Sequence, residues 1–174
     1  MSPPGVRDAL RRRLRSLAVL EVANIPLQAF AWFGAIGFPA TGANLTGFAL
    51  FVIILIQGAA YWAAKLDQLR NRHPRPRGLA AFAVARTVNP VLLAAGLLVT
   101  GAAALADPGA GSWPGLGFAV FAVLEHVNYF HVQLMHDTAA DLRRLRTVGL
   151  RRSQLARDLA RVKGIPRPGV FLKE

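Results

Sequence analysis

Long apolar runs alternate with short basic blocks along this chain, and that alternation restricts the fold more than any single motif does. Every Lys and Arg except Arg86 lies in one of three places: an N-terminal arm, the segment KLDQLRNRHPRPRG (65–78), or the tail beyond residue 137. Each apolar run between them can cross a hydrocarbon core of about 30 Å at about 1.5 Å per residue. Inside lipid a backbone must satisfy its own hydrogen bonds, which runs of this length do as helices. The expected fold class is therefore all-α, an integral membrane four-helix bundle followed by a cytoplasmic basic amphipathic C-terminal helix. The spans fall at about 16–38, 45–64, 79–106 and 116–136. A basic arm (1–15) precedes this transmembrane domain (16–136) and a basic tail (137–174) follows it.

Composition decides between membrane and nucleic acid. A formal charge of +12 would suit nucleic-acid binding in a water-soluble chain. The mean hydropathy of +0.36 and the confinement of charge to blocks between greasy runs point instead to a membrane protein, so no nucleic-acid partner is expected. Cysteine is absent, which removes disulfides, thiolate metal sites and cysteine nucleophiles. The arginine-rich start resembles a signal peptide, but the run from Leu17 to Phe38 exceeds an apolar signal core and contains Glu21, Asn24 and Pro26; we expect it to be retained. By the positive-inside rule both termini face the cytoplasm, placing the chain in the cell (inner) membrane.

In the tail, Leu145, Val148, Leu155, Leu159 and Val162 share one broad side of a helix, with arginines over much of the rest. Such a helix is expected to lie on an anionic leaflet, where each basic residue contributes roughly 1 kcal/mol. Anionic phospholipid is accordingly an expected partner. A second copy of the chain or another membrane protein is also expected, because four short helices seldom enclose a pathway alone.

The polar residues inside the spans mark the candidate site. At about 100° per residue, Glu125, Tyr129 and His136 share a face of the fourth span with Asn128 beside them, while His126 and His131 lie on opposite flanks. The first span repeats the pattern with Glu21, Asn24 and Gln28, and the third with Arg86 and Asn89. Buried charge is costly unless paired, so Arg86 is expected to reach Glu21 or Glu125; the alternative is that it snorkels to lipid phosphates while Asn and Gln act as interhelical glue. Pro26 and Pro90 each free a carbonyl one turn earlier and are expected to kink their helices beside these groups. The expected site is Glu21, Asn24, Arg86, Asn89, Glu125, Asn128, Tyr129 and His131, in the cytoplasmic half of the bundle.

Metal chemistry fares poorly. A carboxylate-bridged di-iron bundle needs Glu-x-x-His, but Asn24 and Asn128 occupy the positions three after Glu21 and Glu125. The even spacing of His126, His131 and His136 resembles one histidine box of membrane desaturases and hydroxylases, a family that uses several, and this chain has only His73 besides. His131 and His136 remain as metal-ligand candidates, and no cofactor is expected. No nucleophile elbow, phosphate loop or serine triad is present. The layout of four short spans with a glutamate in the first is similar to that of small multidrug-efflux proteins; the likeness covers organisation only and carries no residue across. The expected function is a small transporter or proton-coupled carrier, with Glu125 titrating and Arg86 modulating it. The alternatives are a membrane accessory or scaffold protein acting through its basic tail, and a membrane-embedded enzyme acting on lipid.

Overall fold

The computed structural model describes residues 4–134 and 151–162, and these form helices joined by short connections. Helix α1 (Pro4–Ala29) continues through a π-helical turn (Phe30–Ala35); α2 (Gly42–Asn71), α3 (Leu79–Ala106) and α4 (Trp113–Phe130) follow, and α5 (Gln154–Val162) is short. Three segments are long and apolar enough to cross a membrane: Gly5–Ala35, Gly42–Asn71 and Leu79–Ala106. Helix α4, with 18 residues, is not one of these, and Glu125, His126 and Asn128 fall in its last turns.

Helix α2 is the centre of the packing and touches α1, α3 and α4, while α3 also packs on α4. Leu50, Phe51, Ile54 and Leu55 of α2 meet Leu93 of α3 and Phe118, Ala122 and Phe130 of α4 in one buried cluster. The opposite side of α3 exposes Val84, Val88, Val91, Leu98, Val99 and Leu105. In water such a surface costs roughly 25 cal/mol per Å² relative to an apolar environment, so this exposure fits a membrane location.

Glycine sets how closely the helices approach. A Cβ on Gly47 would lie 1.9 Å from the Gly115 carbonyl oxygen, so α2 and α4 meet backbone to backbone. On α3 the small pair Gly96 and Thr100 admits the Leu50 side chain, which would sit 2.1 Å from a Cβ at Gly96. Beside the Gly47–Gly115 crossing, Asn44 is fully buried and saturates its amide: Nδ2 donates to the carbonyls of Pro39 (2.8 Å) and Ala110 (2.9 Å), and Oδ1 accepts from Gly115 N–H (2.8 Å). One side chain thus ties the 36–41 turn, the α3–α4 connection and the start of α4 together.

Several bounds differ from those expected, each for a local reason. Val6, Leu10, Leu14 and Leu17 of the basic arm have the spacing of one helical stripe leading into the first span, and α1 starts at Pro4, so the arm forms the first turns of that helix. Its far end widens into the π turn, where Ile36 N–H reaches back five residues to Ala31 O at 2.9 Å. Helix α2 continues past 64 to Asn71 because its charged end is laced internally, Lys65 to Gln68 at 3.1 Å and Asn71 to Asp67 at 2.5 Å. Helix α3 has the expected bounds.

The fourth helix stops at Phe130 instead of running to 136. Its last carbonyls are taken by the returning chain: Ser153 N–H donates to His131 O (3.1 Å), and Ser153 Oγ donates to Tyr129 O. Gln133 N–H in turn donates to Arg151 O at 2.8 Å, and Asn128 Oδ1 accepts from Leu134 N–H at 2.8 Å. Ser153 then caps α5 through Ala156 N–H. The tail helix also differs in what its apolar face covers. Leu155, Ala156 and Leu159 are buried against the bundle rather than turned toward a leaflet. Buried Asp158 anchors this docking, accepting from Tyr61 hydroxyl at 2.8 Å and pairing with Lys65 Nζ at 3.0 Å. His136, Leu145 and Val148 lie outside the described residues, as does the side chain of Val162.

Candidate functional site

The stripe expected on α1 is present and one residue longer than read. Gln28 Nε2 donates to Asn24 Oδ1 at 3.3 Å, and Trp32 Nε1 donates to Gln28 Oε1 at 2.7 Å, so the chain of polar groups continues one turn toward the π segment. At the other end of the stripe the Tyr129 hydroxyl of α4 donates to Glu21 Oε1. Gly58 on α2 is what lets the phenol through, since a Cβ there would lie 2.6 Å from Tyr129 Cζ.

Helices α1 and α4 both lean on α2, and the space between them forms two cavities. One, of about 290 Å³ at the basic end, is walled by Glu21, Asn128, Tyr129 and Trp62, with Arg151 and Arg157 contributed from the α5 side. The other, of about 720 Å³ at the far end, is walled by Phe51, Phe118, Phe121 and Trp113, with Asn24 and Gln28 as its polar groups. Trp32 packs edge-on against Phe118 along this second cavity, their rings 5.5 Å apart. One helical turn of α1, from Glu21 to Asn24, separates the two, and the Tyr129–Glu21 contact lies at that divide.

Charge is distributed unequally between them. The basic-end cavity has Arg13, Arg151 and Arg157 against the single carboxylate of Glu21, whereas the far cavity has no charged wall residue. Burial, together with the neighbouring Arg151 charge, pushes the Arg157 guanidinium below its ordinary range, and its Nε is buried without a hydrogen-bond partner.

The remaining expected residues form a second group. Asn89 of α3 exchanges two hydrogen bonds with Gln57 of α2 (2.7 and 3.2 Å) and lies 3.3 Å from Nδ1 of His126 on α4. His126 stacks on Phe130 at 4.7 Å and meets the His131 ring edge-on at 5.5 Å. Glu125 lies along its own helix, accepting from Asn128 Nδ2 at 3.3 Å, and lines neither cavity. Arg86 is exposed on α3, and among the described residues no ion pair joins it to Glu21 or Glu125. An arginine two turns inside a helix end has the reach to extend toward that end, which relieves the need for a buried partner.

The structure therefore joins Glu21 with Tyr129, Asn24 with Gln28, and Asn89 with Gln57 and His126, but it does not assemble all eight residues into one cluster. Among the described residues no three His, Asp or Glu side chains are placed to hold a metal ion; His131 contributes a ring contact, and His136 is not described. The sequence reading missed Asp158 and Ser153, which close the basic-end cavity by docking α5, and Asn44 at the far end. The chain matches no protein-family model, no curated protein and no solved structure.

Proposed function

We propose that this chain is a small proton-coupled membrane carrier for an amphiphile with an anionic head, and that Glu21 rather than Glu125 carries the proton. The observation behind this reading is the divide at Glu21: two cavities approach the same turn of α1 from opposite ends, with the Tyr129 hydroxyl bonded across the barrier between them. The aromatic far cavity suits an apolar body, and the three guanidinium groups at the basic end suit an anionic head. Breaking the Tyr129–Glu21 contact would let the two cavities communicate. A proton on Glu21 would remove the one charge that repels an anion there.

In this reading the basic end faces the cytoplasm, and α4 crosses the membrane as a fourth span. The crossing is supported by Asp158, which holds the chain after α4 against Lys65 at the end of α2. The test is flux into reconstituted vesicles bearing a pH gradient, with a series of alkyl carboxylates as probes. Wild type should move protons with the probe; Glu21→Gln should abolish coupled movement, Tyr129→Phe should leak, and Glu125→Gln should behave as wild type. Loss with Glu125→Gln but not Glu21→Gln would return the proton to Glu125. Absence of flux for every probe would end the carrier reading.

A further inference from the structure

A third cavity, of about 650 Å³, lies at the basic end between the first turns of α1, the last turns of α2 and Gln154 of α5. Its walls hold Arg7, Arg11, Lys65, Arg72 and His73 and no carboxylate. Lys65 is neutralised in part by Asp158, and exposed Arg11 faces Asp8 at only 3.7 Å. Arg7 and Arg72 make no ion pair among the described residues. His73 faces Asp67 at 3.8 Å, so among the described residues the charge left without a carboxylate in this cleft is that of Arg7 and Arg72, with Arg11 held only by its exposed contact to Asp8.

An apolar wall facing the cations favours a ligand over a merely solvated face. Arg72 ends α2 in the left-handed region (φ 55°), the one non-glycine residue with positive φ among those described, at a position where glycine would be less strained. The Gln68 carbonyl holds it there by accepting from both Arg72 N–H and His73 N–H. This left-handed C-cap is what ends α2 and turns the chain away at the mouth of the cleft. The opposite wall is apolar, with Leu10, Leu14 and Leu69 running beside the cations. Counted from Gly42, a hydrocarbon core takes up about 20 residues of α2, so Lys65 and Gln68 emerge at headgroup depth.

We infer that this cleft binds a phosphate group: Arg7, Arg11 and Arg72 grip its oxygens, while the leucine wall accepts the glycerol and first acyl carbons when the phosphate belongs to a phospholipid. Guanidinium forks match phosphate oxygens in geometry as well as charge. This assignment does not rest on the carrier reading: Leu10, Leu14 and Gln154 line both this cleft and the basic-end cavity, but Arg7, Arg11, Lys65, Arg72 and His73 line this cleft alone and Glu21 is not among its walls.

The test uses the purified full chain in a zwitterionic detergent-free nanodisc. Binding is read by native mass spectrometry and by the thermal midpoint on adding inorganic phosphate, short-chain phosphatidic acid or short-chain phosphatidylcholine. Phosphatidic acid should bind and raise the midpoint. Arg7→Gln, Arg11→Gln and Arg72→Gln should each weaken it about tenfold, as expected for one charge-assisted hydrogen bond. Arg12→Gln and Arg15→Gln, exposed on α1 but outside the cleft, should leave it unchanged. Binding of inorganic phosphate with the same arginine dependence would identify a free phosphate as sufficient; binding of phosphatidic acid alone would identify the lipid. Equal losses in the Arg12 and Arg15 variants, equal binding of phosphatidylcholine, or no binding of either phosphate probe would overturn the inference.

Discussion

Asn44 shows how much a single polar side chain can hold when nothing else can replace it. It is fully buried, and its amide satisfies two backbone carbonyls and one backbone N–H drawn from three separate stretches of chain. Truncating it leaves those groups without partners in an apolar surround, at about 1–3 kcal/mol each. Asn44→Ala should therefore lower unfolding free energy in detergent by at least about 3 kcal/mol. Asn44→Asp should be no better, because it keeps the acceptor for Gly115 but turns an oxygen toward the carbonyls of Pro39 and Ala110. A variant within about 0.5 kcal/mol of wild type would show the hub to be dispensable. Nothing in the sequence marks this residue: it reads as the last position of a Pro39–Asn44 turn, and its partners lie as far as 71 positions away.

At the scale of elements, α3 is legible to its ends, because Gly78, left-handed at φ 75°, precedes it and Asp107-Pro108 follows it, both residue types that stop a helix. Hydropathy fails at the ends of α2 and α4, where side-chain contacts decide. The polar stripe of α1 can be read from spacing, whereas its partner cannot: periodicity puts Tyr129 on one face with Glu125, but the phenol reaches Glu21 only because Gly58 leaves room. For Arg86 the cost of a buried charge allows either a carboxylate partner or snorkelling, and its exposed position near a helix end fits the second. The spacing of Leu155, Leu159 and Val162 predicts an amphipathic α5, yet amphipathicity does not say whether lipid or protein covers the apolar face. Asp158 supplies the answer, because a carboxylate in that face has its partners Lys65 and Tyr61 on α2. A double-mutant cycle of Lys65→Met and Asp158→Asn should return a coupling of roughly 0.5–3 kcal/mol. Hydrogen exchange over 154–162 should accelerate in each single variant. Zero coupling with unchanged exchange would mean that Leu155 and Leu159 dock α5 unaided.

For the whole molecule, the decisive question is how many times the chain crosses the bilayer. Helix α4 is about 27 Å long, a little less than a hydrocarbon core, and its polar last turns lower its apolar content. Its neighbours nonetheless constrain it. Its first turn is locked to the start of α2 through Asn44 and the Gly47–Gly115 contact, and the chain beyond its last turn is locked to the end of α2 through Asp158. On the proposed reading a helix pinned to both ends of α2 accompanies it across the bilayer. Single cysteines at exposed Ala40 and Gly109 should thus react with an impermeant maleimide in intact cells, while cysteines at exposed Asn71 and Arg151 should react only after permeabilisation. Labelling of Asn71 and Arg151 in intact cells with protection of the other two would invert the orientation and keep four crossings. Labelling of Arg151 together with Gly109, with Asn71 protected, would mean three crossings. In that case the Lys65–Asp158 contact could not exist in the membrane, and the basic-end cavity would have no lid from α5.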